Sequence, residues 1–357
     1  MPAVLRRDDS LVRPHPDIKL GPFGPFPGAP QRRELDRRWL HYAFLSRDNR
    51  LGMVSNVAWL GPAPEIPDAP QRVTSILLLY KRGVGWLSSQ WNTETTTPLW
   101  SAFRQPHPFS EPGRLELRAT AESPAIRFQL QRTSHPCTSQ CAAFARDQHF
   151  RWQSETGVLA YGDWTFDNEV LRDVPAIGYH ERVRGYWSWP ELGGWVFGFA
   201  NDPATTAPGA PPPTAVVFTL IQPPNPPDAT AASVMVWRDG HLRRHFPRRN
   251  ITVAVRGELA RDRVVMVPEM AKLFDIPPMA PIPHHLMITG RLGADWIMLD
   301  FQSETAARII LPSETGIDPC SVHEVFGPCR IEGAINGRRF DYTTFGIVEF
   351  TGGAGGL

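Results

Sequence analysis

Lysine is almost missing from this chain: Lys19, Lys81 and Lys272 are the whole complement within 37 lysines and arginines. That leaves few side chains for Schiff-base chemistry. Long apolar runs are missing too. The longest, Ser75–Tyr80 and Ala215–Ile221, are strand-sized and fall well short of the ~18 residues of a membrane span. Met1 to Ser10 carries Arg6, Arg7, Asp8 and Asp9 where a secretion signal needs an apolar core, so a cytoplasmic protein without a transmembrane segment is expected. Cysteine is sparse. Cys137, Cys141, Cys320 and Cys329 are spaced for neither paired zinc knuckles nor a dense disulfide framework, and read as ordinary thiols. No charge sign is in excess: 37 Lys plus Arg stand against 36 Asp plus Glu, a formal +1, with no block of five like charges. Such a balance exerts no bulk pull toward nucleic acid or anionic lipid.

Several motifs are lacking as well. No glycine-rich phosphate loop follows a strand, and no Gly-x-Ser-x-Gly elbow is present, which removes the usual support for nucleotide binding and hydrolase chemistry. His241 and His245 sit among Arg243, Arg244, Arg248 and Arg249, a cationic setting that opposes a divalent metal and reads as a solvated basic turn. His284 and His285 are adjacent, so regular strand geometry points them to opposite faces. No metal and no cofactor is assigned.

What the chain does have is proline, 37 of 357 residues, and many short apolar runs. Residues 1–35 form a proline-rich leader whose stretch 21–27 is too rigid for a helix or a central strand. From Trp39 a β pattern begins, with Trp39–Leu45 and Leu51–Trp59 flanking the turn Arg47–Arg50. Strand-length runs continue at 73–81, 85–91, 114–119, 125–131, 156–161, 185–189 and 195–201. Residues 203–213, proline-rich, read as a semi-rigid linker. Strands resume at 214–221, 233–238, 251–256, 263–267, 285–291, 295–301 and 308–311, with hairpin turns at Asp239-Gly240 and Asn336-Gly337. Helix-length amphipathic patterns are scarce. The expectation is an all-β chain of two antiparallel β-barrels in tandem, residues 36–202 and 214–357, since many short strands favour closed or sandwiched sheets.

Chemistry concentrates in residues 176–201, where aromatic and ionisable side chains are densest. Strand alternation puts Trp187 and Trp189 on one face, and Trp195, Phe197 and Phe199 on one face of a returning strand. Tyr179, His180 and Glu181 add a phenol, an imidazole and a carboxylate just before it, groups able to move a proton beside an apolar wall. Alternation separates His180 from its neighbours unless the strand bulges at Gly178 or Gly185. Glu181 is either a general acid with a pKa raised by an apolar cavity or the partner of Arg182 or Arg184. Tyr179, His180 and Glu181 are the candidate catalytic residues. Substrate contacts are assigned to Arg184, Trp187, Trp189 and Trp195, and further to Trp39, Tyr42, Asn56, Trp91, Trp237 and Trp296. Trp39 and Tyr42 differ in parity, so a regular strand cannot aim both into one cavity. Glu324 and Glu349 are inward polar groups or, the reading favoured by their charge, part of a solvated strand face.

The stretch Gly178–Gly185 resembles the Gly-Tyr-His-Asp-Lys-Asn-Trp-Gly pattern of the lipocalin-like two-domain proteins that include carotenoid 1,2-hydratases, kievitone hydratases and fungal Diels–Alderases. Trp39–Leu60 is similar to that family's opening hairpin, and Phe326–Gly333 with Val348–Gly352 to its closing segments. Val183 and Arg184 stand where the family has Asn and Trp, and Phe326 where it has Trp. The resemblance implies two lipocalin-like barrels, a hydrophobic pocket within or between them, no cofactor, and a polyene, isoprenoid or polyketide as small-molecule partner. The leading expectation is a cofactor-independent cyclase of secondary metabolism promoting a Diels–Alder-type cycloaddition or related rearrangement. The alternatives are a hydratase or isomerase acting on an alkene, and a non-catalytic carrier of hydrophobic ligands.

Overall fold

A computed structural model of the chain describes residues 18–23, 36–60, 71–95, 113–118, 124–142, 149–167, 169–187, 193–203, 212–222, 231–267, 282–311 and 320–352. These residues are almost entirely β-strand, and the fold is lipocalin-like and all-β. The first sheet holds β1 (Ile18–Leu20), β2 (Asp36–Ser46), β3 (Leu51–Leu60), β4 (Gln71–Lys81), β5 (Gly85–Thr95), β6 (Gly113–Arg118), β7 (Ala125–Gln131), β8 (Cys137–Ala142), β9 (His149–Phe166) and β10 (Glu169–Tyr186). Its main path runs β1-β8-β9-β10-β2-β3-β4-β5, with β7 joined to β9 and β6 to β7.

The second sheet holds β11 (Gly194–Asn201), β12 (Ala215–Gln222), β13 (Ala231–Arg238), β14 (His241–Pro247), β15 (Ile251–Glu258), β16 (Val264–Val267), β17 (Pro283–Leu292), β18 (Asp295–Gln302), β19 (Thr305–Leu311), β20 (Cys320–Ile335) and β21 (Arg338–Gly352). Its path is β14-β13-β12-β11-β21-β20-β18-β17-β15, with β19 on β20. The β16–β19 pair is parallel, the one parallel pairing among the described residues. Both expected Asx-Gly hairpin turns form, with positive φ at Asp239, Gly240, Asn336 and Gly337, the backbone that a two-residue primed turn requires.

The two sheets repeat one design. In each, the closing hairpin packs back onto the opening strand: β9-β10-β2-β3-β4-β5 in the first, β20-β21-β11-β12-β13-β14 in the second. Alternation then gives each sheet two apolar faces. One set of side chains packs inside the first sheet's curve around Tyr42, Phe44, Phe128 and Trp164. A second set fills the other curve around Phe218, Phe246, Phe301 and Ile331. A third joins the two sheets, bringing Ala43, Val54 and Tyr179 against Phe197, Phe199, Val217 and Met235. Burial of each such aliphatic or aromatic side chain contributes on the order of 1.5–3 kcal/mol.

Three sequence expectations are corrected. Trp195–Asn201 does not return as a hairpin on the strand before it: β11 pairs with β12 and β21, so it belongs to the second sheet, and the change of sheet falls after Tyr186. Its fully buried backbone is satisfied only where strands flank it on both sides. Within the leader, Ile18–Leu20 adds an antiparallel strand to β8, because Ile18 has a buried niche to fill. The basic segment 241–247 is strand β14, not a turn. Most of the leader and most of residues 203–213 lie outside the described residues.

Candidate functional site

Cross-strand register decides which side chains share a face. On β10, Tyr179, Glu181 and Val183 lie opposite Ala43, His41 and Trp39 of β2, and this face looks toward the second sheet. There, Glu349 of β21 lies opposite Phe197 of β11 and Glu324 of β20, with Trp195 two residues before Phe197. The sheets meet over a cleft lined by Trp39, Phe150, Trp152, Glu181 and Val183 from the first, and by Trp195, Phe197, Thr219, Ile221 and Glu349 from the second. Its free volume is about 60 Å³, the space of a few waters. Trp39 and Trp195 stack across it at 6.1 Å between centroids and 22° between planes. Among the described residues, no basic side chain lines it.

The duplicated design is visible in the site itself. Glu181 accepts a hydrogen bond from the Trp39 indole Nε1 at 3.2 Å, and Glu349 accepts one from the Trp195 indole Nε1. In each half the tryptophan sits two residues before the partner of the glutamate on the opening strand. The third strand differs: Ser154 lies beside Glu181, whereas Glu324 lies beside Glu349. Tyr179 Oη stands 2.8 Å from both Ser154 Oγ and Glu181 Oε2. It has one proton, so it donates to one of them and accepts from the other.

Burial dominates the electrostatics. It pushes the Glu181 carboxyl up to about 7, against the opposing hydrogen bonds from Tyr179 and Trp39, and nearby Glu349 adds to the rise. Burial also raises Glu324 well above the usual carboxylate range, reinforced by Glu349, and raises Glu349. Two carboxyls in contact away from water cannot both ionise cheaply and titrate as a pair. His41 is fully enclosed and burial lowers it to about 4, so its imidazole is neutral. His41, Glu324 and Glu349 each offer one ligand atom within 4.8 Å of the others.

The candidate residues divide by face. Trp39, Glu181 and Trp195 line the cleft, and Tyr179 orients Glu181 from behind it. His180 points to the opposite face, inside the first sheet's curve, where its ring stacks on Tyr42 at 4.2 Å and its Nδ1 lies 2.9 Å from the His41 carbonyl. A bulge does occur at Gly178/Tyr179 in the pairing with β9, but it precedes the triplet and leaves the alternation of Tyr179, His180 and Glu181 intact. Tyr42 is thereby also removed from the cleft. Arg184 shares the His180 face and pairs with Asp36 at 3.4 Å. Trp187 is buried behind Trp39, edge-on at 5.3 Å. Trp237 is wholly buried in the core between the sheets, its indole donating to the His135 carbonyl. Trp296 alternates outward on β18 while Ile297, Leu299 and Phe301 face in. Asn56 lies opposite His41 on β3 but does not line the cleft. Trp91 is on β5 opposite Ser75; its side chain, and Trp189 altogether, lie outside the described residues.

Sequence reasoning missed His41, Phe150, Trp152 and Thr219, and of its two readings for Glu324 and Glu349 it favoured the solvated face; both glutamates are buried, the inward reading. His41 shares parity with Trp39, a signal that was available. Nothing local marked the glutamates, because only the packing of one sheet on the other takes them from water. Cys137, Cys141 and Cys329 are buried. No helix among the described residues is long and apolar enough to cross a membrane.

No protein-family model matches the chain and no curated protein matches it significantly. Solved structures do. A protein from Nitrosomonas europaea assigned by name to AttH is similar at TM-score 0.55 and 14% identity, over 91% of this chain and 94% of that one. The structure of CghA with Sch210972 is similar at TM-score 0.50 and 10% identity, over 95% of this chain and 99% of that one. At these identities the likeness is one of fold: the chain has the lipocalin-like all-β architecture, two sheets in tandem.

Proposed function

We propose that the cleft between the sheets is the active site of an enzyme that cyclises a hydrophobic, unsaturated small molecule with its own side chains. The observation that carries this reading is the Glu181 carboxyl, set in an aromatic cleft by Tyr179 and Trp39 and raised to about 7. In its acid form Glu181 donates a hydrogen bond to a substrate carbonyl, withdrawing electron density from the conjugated alkene beside it. A cycloaddition loses and gains no proton, so this donor and the orienting walls are all it requires. The stacked indole pair Trp39 and Trp195 supplies a flat apolar wall for the reacting end. The lipocalin-like fold, its likeness to a structure solved with Sch210972, and the resemblance of residues 178–185 to a family containing Diels–Alderases support a cyclase reading at the level of fold.

One observation favours a second reading. The free space is large enough for a water molecule, and Glu181 is connected through Tyr179 to Ser154, an arrangement that fits protonation of an alkene followed by capture of water. The same experiment separates the two. Wild type and Glu181→Gln are incubated with linear polyene and polyketide candidates, and products are followed by chromatography and mass spectrometry. An isomer of unchanged mass and altered retention, formed by wild type and more slowly by the variant, supports cyclisation. A gain of one water supports hydration. Ligand bound tightly and returned unchanged overturns both in favour of a carrier.

A further inference from the structure

Six carboxyl side chains are buried among the described residues: Asp36, Glu155, Asp295, Glu181, Glu324 and Glu349. The first three each hold an arginine: Asp36 pairs with Arg38 at 2.9 Å, Glu155 with Arg132 and Asp295 with Arg244. That is the usual compensation for a charge taken from water. Of the last three, Glu181 and Glu349 line the cleft and Glu324 lies beside Glu349, and none of them pairs with a basic side chain among the described residues. Two atoms there have no hydrogen-bond partner although their residues are only 2% exposed: Glu324 Oε2 and His41 Nε2. His41, Glu324 and Glu349 each offer one ligand atom, all three within 4.8 Å of one another, and His41, neutral, accepts rather than repels.

Three acceptors so placed match the three N–H donors of a primary ammonium. A quaternary ammonium has none to give. Trp39 and Trp195, whose indole N–H groups are engaged by Glu181 and Glu349, present ring faces that attract a cation and cover the methylenes behind it. A bare metal ion would use the tripod but not these walls. We propose that the small molecule taken by this cleft carries a primary ammonium, seated on His41, Glu324 and Glu349 with its apolar remainder against Trp39 and Trp195. This rests on the cleft being the substrate site, as proposed above.

The test is calorimetric titration of the full chain at neutral pH with n-hexylammonium, hexanol, hexyltrimethylammonium and zinc ions, each in two buffers of different ionisation enthalpy. Hexylammonium should bind at least about tenfold more tightly than the alcohol or the quaternary amine, the loss expected when charged hydrogen bonds go unmade. Binding should release protons, because Glu181, Glu324 and Glu349 are held toward the acid form until a cation arrives. Glu324→Gln, which is isosteric, should weaken hexylammonium about tenfold and leave hexanol unchanged. Equal affinity for amine and alcohol, zinc binding without amine binding, or no binding of any probe overturns the proposal. Amine binding by a protein that turns over none of the candidate polyenes leaves this proposal standing and counts against the catalytic one.

Discussion

At the residue scale, the roles of Glu181 and its neighbours turn on where one proton sits. If Glu181 is the donor, activity is carried by its acid form, so the rate should fall as pH rises through about 7. Glu181→Gln keeps the shape and a weaker N–H donor but removes the ionisable acid, and should lower kcat by about tenfold and flatten that limb of the pH profile; a steady-state pH–rate comparison checks both. Tyr179→Phe removes the group that holds Glu181 Oε2. The expected outcome is a smaller loss in kcat with little change in KM and a displaced pH limb, since Tyr179 does not line the cleft. A Tyr179→Phe profile identical to wild type would remove Tyr179 from the mechanism.

At the scale of elements, β10 is the strand on which the site depends, and its register is set by a close approach. A Cβ at Gly178 would meet the Ala43 carbonyl oxygen of β2 at 2.0 Å and the Phe44 ring at 2.6 Å, next to the Gly178/Tyr179 bulge against β9. Gly178→Ala must therefore push β10 off β2, at a cost of about 1–3 kcal/mol, measurable by urea unfolding. Because Glu181 lies three residues further on, activity should fall more than the stability loss alone explains. At Gly198 of β11 a Cβ would stand 2.3 Å from the Phe218 ring, so the space beside that glycine is filled from the neighbouring strand. The repeated pairing of a Trp and a Glu, Trp39 with Glu181 and Trp195 with Glu349, belongs to the same scale: one strand pair, used twice, faces its own copy.

At the scale of the whole molecule, the sheets are bound by a shared core, so they should unfold together. Tryptophan fluorescence and far-ultraviolet circular dichroism are expected to trace coincident denaturation curves, and Phe197→Ala should lower both by about 3–5 kcal/mol. Stability should also be bounded in pH from two sides. The folded-state values of His41 and His323, lowered by burial to about 4, contribute stability that is present above the unfolded value near 6.5 and lost as pH falls through about 4. The raised Glu181 acts oppositely: its contribution is present below its ordinary value near 4.5 and lost as pH rises through about 7. Glu324 and Glu349, also raised, extend that loss upward. Thermal melts should show Tm declining on both flanks, and Glu181→Gln should melt higher than wild type at alkaline pH, a site residue kept at the expense of stability.

Much of this was legible in the sequence. Alternation in Trp39–Leu45, Ala125–Gln131 and Asp295–Phe301 determined strands and their buried faces, because a period of two is a local property of the extended chain. Asp239-Gly240 and Asn336-Gly337 determined their turns, because few residues adopt positive φ at little cost. The same parity rule separated Trp39 from Tyr42 and His180 from Glu181. What the sequence could not decide was which strand β11 would pair with, since hydrogen bonding across a sheet joins residues 150 positions apart with no local mark. It could not decide that Glu324 and Glu349 leave water, because each is an ordinary strand glutamate until a second sheet covers it. Nor could it place the cleft between the sheets. Local chain chemistry determined the pieces and their faces; only the packing of one face on the other gathered three acids, a neutral imidazole and two indoles into one site.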